Sequence, residues 1–210
     1  MIALIDYKMG NLRSVAKALE AVGAEVTVTH EPAKLRRAQA LVLPGVGAFS
    51  AGMSNLRKMK LITPIKEAIR AGKPFLGICL GAQLLFTESE EHGRHLGLGI
   101  IPGRVVKFRS ALKIPHMGWN TITKVTSHKS QDISGLLNNI PDGAYFYFVH
   151  SYYVKPKKKD MVLALSEYGQ KFAAVVGKDN TFGIQFHPEK SSELGLKILE
   201  NFCRICGEIK

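Results

Sequence analysis

One cysteine stands where it can act as a nucleophile. Cys79 lies between Gly77 and Gly81, after an apolar run that predicts a buried strand and before a stretch that predicts a helix. Glycines suit such a sharp strand-to-helix turn because larger side chains would collide there. The turn aims the sulfur outward at the carboxyl edge of a parallel sheet, and the helix start favours the thiolate. A buried cysteine between two packing glycines is the alternative.

A thiol nucleophile needs a base, and the base needs a group that orients it. Among the seven histidines, His187 fits best, because it follows a predicted strand that Pro188 stops. Glu189 comes two residues later, where its carboxylate can hold the ring tautomer and stabilise an imidazolium. By itself, a His-Pro-Glu sequence is more often structural, so the assignment depends on Cys79 lying nearby.

Backbone amides at the same sheet edge can stabilise a developing oxyanion. The segment Pro44-Gly45-Val46-Gly47 follows another predicted strand, and its glycine-rich backbone can present the amides of Val46 and Gly47. The amide of Leu80 faces any oxyanion formed beside the sulfur of Cys79. An ordinary strand-to-loop turn is the alternative for the glycine-rich segment.

Short apolar strands and amphipathic helices alternate over the first 90 or so residues. The predicted strands are Ile2 to Ile5, Glu25 to Thr29, Ala40 to Leu43 and Phe75 to Ile78. The predicted helices run from Leu12 to Val22, capped by Asn11, from Thr63-Pro64 to Gly72, and from Leu80 to Thr87. This alternation is typical of a parallel sheet covered by helices on both faces.

The second half is richer in strands with short connections, which favours antiparallel pairing. The predicted strands are Val105 to Phe108, Thr121 to Val125, Tyr145 to Val149, Val162 to Leu165, Phe172 to Val176 and Phe182 to Gln185, and a closing helix presents Leu194, Ile198, Phe202 and Ile205. We therefore predict an α/β fold in one domain spanning residues 1–210. Its open, mostly parallel central sheet is flanked by helices and carries an added antiparallel segment.

Composition excludes several classes of protein. The chain has 210 residues, 46% of them hydrophobic, and lacks an apolar run of membrane-spanning length. Three cysteines favour a reducing compartment, hence the cytoplasm, and the spacing of Cys203 and Cys206 is weak evidence for a metal. The net charge of +12 leaves open a basic nucleic-acid-binding module, although lysines outnumber arginines.

Taken together, the motifs resemble the class I glutamine amidotransferases over nearly the whole chain. The matching segments are Pro44-Gly45-Val46-Gly47, Gly77-x-Cys79-x-Gly81-x-Gln83 and Phe186-His187-Pro188-Glu189. More narrowly, the chain resembles the glutaminase subunits of imidazole glycerol phosphate synthase. That resemblance rests on Asp6-Tyr7-x-x-Gly10-Asn11 and on residues 115–120, 145–152 and 187–191.

The resemblance implies hydrolysis of glutamine to glutamate and ammonia, with Cys79, His187 and Glu189 as catalytic triad. It places the oxyanion hole at Val46, Gly47 and Leu80. It implies that Gln83 contacts the substrate amide, that Glu91 meets the ammonium group, and that backbone near Ser151 and Tyr152 holds the carboxylate, with His150 lining the site. No cofactor or metal is implied.

The resemblance also implies a heterodimer with the cyclase subunit of imidazole glycerol phosphate synthase, which receives the ammonia. The implied interface residues are Asn11, Trp119, Asn120 and Lys190. Lys8 departs from the pattern, because a small residue is expected there. A core position for Trp119, an ammonia donor to another synthase (for example in surface-sugar synthesis) and a free-standing cysteine hydrolase stay open. The resemblance implies no role for nucleic acid or membrane.

Overall fold

The structure is a computed structural model that describes residues 1–109, 111–125 and 134–209. In its first half, β-strands alternate with α-helices, and the structure has two helices more than the three that were predicted there. The elements are β1 (Ile2–Ile5), α1 (Leu12–Ala21), β2 (Val26–Thr29), α2 (Pro32–Arg37), β3 (Ala40–Leu43), α3 (Phe49–Lys58), α4 (Ile62–Arg70), β4 (Phe75–Ile78) and α5 (Leu80–Leu84). Asn11 caps α1 as expected, since its side-chain oxygen accepts a hydrogen bond from the Ser14 amide at 3.3 Å.

The second half is mostly strand. Its elements are β5 (Phe86–Ser89), β6 (His95–Leu96), β7 (Ile101–Lys107), β8 (His116–Lys124), β9 (Ala144–His150), β10 (Tyr152–Pro156), β11 (Val162–Glu167), β12 (Lys171–Lys178), β13 (Thr181–Ile184) and α6 (Ser192–Ile205). Single helical turns lie at Ser134–Leu137, Lys159–Met161 and Pro188–Lys190. None of the helices within the described ranges is long and apolar enough to cross a membrane.

The central sheet has the strand order β2-β1-β3-β4-β13-β12-β10-β7-β5-β6. The first five strands are parallel, and the pairs from β13 through β12 and β10 to β7 are antiparallel. A further layer forms where β11 pairs with β12 and β8, and β8 pairs with β9. The predicted fold is confirmed, and β4 and β13 lie side by side in its centre.

Both faces of the parallel strands are buried, as their continuous apolar sequences predict. On one face, Leu4 and Val42 pack against α1 and α6; on the other, Ile5 and Leu43 pack against α2 to α5. Cys203, on α6, lies in the first of these cores. Helices on both faces leave the carboxyl edge of the sheet open for a site.

Two helix predictions and one strand prediction were wrong in detail. The helix expected from Leu80 to Thr87 ends at Leu84, because the carbonyls of Leu84 and Leu85 accept hydrogen bonds from residues 98, 100 and 101, and a strand follows. Helix α4 begins at Ile62, so Thr63 lies inside the first turn and does not cap it. Strand β8, which was expected to begin at Thr121, already begins at His116.

Candidate active site

Cys79 occupies the strained turn that the sequence predicts. It joins β4 to α5 with φ 53° and ψ −108°, in a region that residues with a side chain rarely adopt. Such strain persists only where the surrounding structure enforces it, and it clusters at functional sites. Here the enforcement comes from the sheet, since the Cys79 amide donates to the Ile184 carbonyl of β13 at 2.8 Å.

The flanking glycines are required by close backbone packing, as predicted. A Cβ atom at Gly81 would lie 1.8 Å from the carbonyl oxygen of Leu43, and one at Gly77 would lie 2.7 Å from the carbonyl oxygen of Gly81. Contacts below 3.0 Å with backbone cannot be relieved by moving a side chain. The turn around Cys79 therefore tolerates only glycine at both positions.

His187 and Glu189 form a buried pair just beyond β13. The ring Nδ1 lies 2.8 Å from Oε1 of Glu189, and the two side chains are 3% and 2% exposed. The backbone of His187 is held at both ends, because its amide donates to the Tyr147 carbonyl and its carbonyl accepts from the Ser191 hydroxyl. The helical turn that starts at Pro188 places Glu189 under the ring. Nδ1 is thereby committed to the carboxylate, and Nε2 is the nitrogen that can act as a base.

The structure brings the thiol of Cys79 and the ring of His187 into the same buried region. Among the described residues, Nε2 of His187 has no hydrogen-bond partner, and Sγ of Cys79 lies 3.7 Å from the side-chain nitrogen of Gln185. Burial lowers the pKa of His187, but the neighbouring Cys79 thiol and Glu189 carboxylate outweigh burial and raise the pKa to about 10. The electrostatics favour a protonated ring on His187.

The oxyanion site differs from the expectation at Leu80. Its amide donates to the carbonyl of Gly45 at 3.2 Å, so it is occupied and not free for a substrate oxygen. The peptide between Gly45 and Val46 is planar and trans, so the Val46 amide points away from Leu80. Gly47 has a φ of 102°, which keeps the adjoining loop in a glycine-specific conformation. The hole formed by Val46, Gly47 and Leu80 is therefore closed in this conformation.

A cavity of about 270 Å³ opens beside the nucleophile, of a size suited to a small substrate. Cys79, the three expected oxyanion residues and all five expected substrate residues line it; the substrate residues are Gln83, Glu91, His150, Ser151 and Tyr152. Glu91 is fixed by accepting a 2.6 Å hydrogen bond from the Phe49 amide. Within the described ranges, no group of three or more His, Cys, Asp or Glu side chains is placed to hold a metal ion.

Gln83 is oriented by two acceptors. Its Nε2 donates to the Tyr152 carbonyl at 2.9 Å and to Oε1 of Gln185 at 3.2 Å. Both amide hydrogens are thus used inside the protein, which leaves Oε1 of Gln83 as the atom for a ligand.

Sequence reasoning missed Gln185 and Ser191. Gln185 is a buried polar residue between Ile184 and Phe186, just after β13, and a polar residue in an apolar run was the available signal. Ser191 gives no signal until the fold places it under His187.

The expected interface residues fall into two groups. Trp119 is 54% exposed, which makes the core position wrong, and it lies edge-on to Tyr147, whose ring also meets Nζ of Lys190 at 5.8 Å. Asn120 faces inward instead, because its side chain bonds His116, the Glu167 carbonyl and the Thr121 amide.

Asn11, the remaining expected interface residue, and Lys8, which departs from the family pattern, lie near the start of α1. Asn11 is exposed, but its side-chain oxygen is used as the helix cap. Lys8 has a φ of 64°, which explains why a small residue, above all glycine, is expected there.

Comparison with known proteins shows the family to which the chain belongs. The family described as glutamine amidotransferase class-I matches residues 3–206. The chain belongs to that family. Its fold is shared with a protein described as "Crystal structure of glutamine amidotransferase", at a TM-score of 0.77 and 18% identity, covering 99% of this chain and 100% of that one. It is shared also with "Structure of PurLQS from Thermotoga maritima", at a TM-score of 0.74 and 21% identity over 97% of each chain.

Relatives much closer in sequence carry one name. The protein called "Imidazole glycerol phosphate synthase subunit HisH" from Desulfitobacterium hafniense (strain DSM 10664 / DCB-2) is 54% identical over 208 residues, covering 99% of this chain and 96% of the relative. The protein of the same name from Aquifex aeolicus (strain VF5) is 50% identical over 202 residues, covering 96% and 95%.

Proposed function

We propose that this chain is the glutaminase subunit of an imidazole glycerol phosphate synthase and supplies ammonia for histidine biosynthesis. The observation that carries the proposal is the strained Cys79 turn beside a buried His187–Glu189 pair whose Nε2 is unpartnered among the described residues. Full-length relatives at about half identity that bear this synthase's name support the choice of pathway.

In the proposed reaction, the Cys79 thiolate attacks the side-chain amide carbon of glutamine. The imidazolium of His187 then gives its Nε2 proton to the departing nitrogen, which leaves as ammonia, and a thioester remains on Cys79. Water, deprotonated by Nε2 of His187, hydrolyses the thioester to glutamate. Glu189 keeps the ring oriented through Nδ1 and stabilises its positive charge at each stage.

The substrate residues suit the functional groups of glutamine. Oε1 of Gln83 is left to accept a hydrogen bond from the substrate amide, since both hydrogens of its own amide are used within the protein. The Glu91 carboxylate on the cavity wall suits the ammonium group. The backbone of Ser151 and Tyr152 lies on the same wall and suits the substrate carboxylate.

The closed oxyanion hole makes the isolated chain a slow glutaminase. The Leu80 amide must be released by the Gly45 carbonyl before it can donate to the tetrahedral intermediate. Turning the peptide between Gly45 and Val46 releases it and swings the Val46 amide toward the cavity in one motion. One lost oxyanion donor lowers the rate roughly 100- to 1,000-fold. The rate of glutamine hydrolysis therefore depends on the orientation of the peptide between Gly45 and Val46.

The surface formed by β8 and β9 suits a partner subunit. Met117, Trp119 and Tyr145 are between 54% and 63% exposed and lie on the outer side of this strand pair, with Lys190 beside them. Exposed clusters of large apolar residues mark interaction sites. We assign this surface to the cyclase subunit, which takes the ammonia, and we assign the complex to the cytoplasm, where the three free cysteines stay reduced.

The test is to measure glutamate release from glutamine by the purified chain, alone and with a candidate cyclase subunit. We expect slow release alone and a large increase with the partner, with asparagine inert as a control substrate. Rapid turnover without a partner, or equal turnover of other amides and peptides, would instead identify a free-standing cysteine hydrolase. Stimulation only by a synthase from another pathway would move the subunit to that pathway.

A further inference from the structure

Two buried histidines touch each other behind the glutamine cavity. Nδ1 of His116 lies 3.0 Å from Nε2 of His150, and the residues are 3% and 6% exposed. The pair follows from strand register, because His116 on β8 lies directly opposite His150 on β9. At the outer ends, Nδ2 of Asn120 lies 3.2 Å from Nε2 of His116, and the Tyr152 carbonyl lies 2.8 Å from Nδ1 of His150. The four residues form one continuous hydrogen-bond chain.

The two ends of this chain fix the position of every proton in it. A carbonyl only accepts, so Nδ1 of His150 carries a hydrogen, and a neutral His150 has a bare Nε2. At the other end, Asn120 is oriented by the Glu167 carbonyl and the Thr121 amide, so its amino group faces His116. A neutral His116 then has a bare Nε2 and a hydrogen on Nδ1. The contact between the two rings therefore contains one hydrogen, which Nδ1 of His116 donates to Nε2 of His150. The tautomers deduced from the two ends of the chain are thus consistent with each other.

An additional proton would break the chain. A second hydrogen on His150 would meet the hydrogen of His116 across 3.0 Å, and a second hydrogen on His116 would meet the amino group of Asn120. The ring of His116 stacks on the rings of Tyr168 and Phe148. Burial lowers the pKa of His116 to about 4 and that of His150 to about 3. Both rings are held neutral, as Nδ1–H tautomers.

We propose that His116 and His150 are positioning residues of the glutaminase site. Both rings are neutral Nδ1–H tautomers, and together they hold the Tyr152 carbonyl in place for Gln83 and the substrate. The Tyr152 carbonyl also accepts from Nε2 of Gln83, so it joins the histidine chain to the residue that presents Oε1 to glutamine. His116 itself does not line the cavity, and it acts only through His150. The positioning role rests on the proposed glutaminase function, whereas the assignment of the two tautomers is independent of that function.

The tautomers are tested by side-chain ¹⁵N NMR on the full chain labelled at histidine, near pH 7 and without substrate. We expect two rings in the neutral Nδ1–H form, assigned to His116 and His150 by the loss of each signal in the variants described next and in His150→Asn. A ring of this pair in the Nε2–H form, or protonated, would overturn the proposal. This readout does not depend on glutamine being the substrate, so it separates failure of the chain from failure of the proposed function.

The positioning role is tested by comparing His116→Phe with His116→Asn in the complex with the cyclase subunit. Phenylalanine keeps an aromatic ring for stacking but donates nothing to His150, whereas asparagine loses the ring and can place an N–H near the position of Nδ1. We expect His116→Phe to raise the KM for glutamine roughly tenfold with kcat changed less than about twofold, because a buried acceptor is left unpaired. His116→Asn should recover most of this loss. The reverse order, or equal KM values in both variants and the wild type, would show that His116 only fills space.

Discussion

Replacing Glu189 by glutamine isolates the electrostatic part of its role. The side chain keeps its size, and its remaining oxygen can still accept from Nδ1 of His187 at the observed distance of 2.8 Å. What is lost is the negative charge next to a ring that must become an imidazolium. Since both side chains are almost fully buried, water cannot replace that charge. We therefore expect slower catalysis by a site whose geometry is unchanged.

The size of the effect can be bounded from the geometry. Exchanging a charge-assisted hydrogen bond of about 1.5–3 kcal/mol for a neutral one of about 0.5–1.5 kcal/mol costs about 1 kcal/mol. Two unit charges about 4 Å apart at an effective dielectric constant near 20 attract by about 4 kcal/mol. The loss of imidazolium stabilisation therefore lies between about 1 and 4 kcal/mol, or roughly a 5- to 1,000-fold fall in kcat/KM.

The assay is partner-stimulated glutamate release by Glu189→Gln, with His187→Ala as the reference for loss of the base. Glu189→Gln should retain more activity than His187→Ala, because it orients the base and transfers no proton. An unchanged rate, or a rate below that of His187→Ala in a folded protein, would refute the assigned roles.

Stability against pH gives a second readout of the same substitution. The pKa of His187 is raised from 6.5 to about 10 in the folded chain. The folded chain therefore gains stability from protonated His187. This contribution to the free energy of unfolding is complete below pH 6.5 and is lost as the pH rises toward 10. Urea unfolding at pH 6 and pH 9.5 should show a smaller loss in Glu189→Gln than in the wild type. An equal loss would mean that the carboxylate does not raise the pKa.

Two further substitutions test the interface and the turn. Trp119→Ala should weaken binding to the cyclase subunit by about tenfold or more, as expected for a central aromatic anchor. The control Leu96→Ala removes a side chain of β6 that is also more than half exposed, and it should leave the dissociation constant unchanged. Equal constants for both variants by titration calorimetry would remove Trp119 from the interface. Gly81→Ala should lower the free energy of unfolding by more than about 3 kcal/mol, because its Cβ would lie 1.8 Å from the Leu43 oxygen. Gly135→Ala, where the nearest side chain is 3.4 Å away, should cost less than about 1 kcal/mol, and similar losses in both would contradict the packing account.

The parallel core and the nucleophile turn were predictable because local sequence determines them. Buried parallel strands need continuous apolar runs, and the tight turn at Cys79 needs glycine on both sides. Helix α3 was not predicted, since Gly52 interrupts its pattern; the structure explains this glycine by Leu80 and Leu84 of α5, which would lie 3.2–3.4 Å from a Cβ. The early end of α5 was missed because amides of residues 98, 100 and 101, distant in sequence, donate to the carbonyls of Leu84 and Leu85.

The state of the site could not be read from the sequence, because it depends on contacts between distant segments. Nothing near Leu80 indicates that the Gly45 carbonyl occupies its amide. The pairing of His116 with His150 depends on the register of β8 against β9. Sequence patterns predict most residues of the candidate site, but the tertiary structure decides which hydrogen bonds they make.

The central claim is that the Cys79 sulfur forms the bond that releases ammonia from glutamine. The most direct measurement compares glutamine-dependent and ammonia-dependent synthesis of imidazole glycerol phosphate by the complex containing Cys79→Ala. We expect the first activity to be abolished and the second to stay at the wild-type level. Retention of the glutamine-dependent activity, or equal loss of both, would contradict the claim.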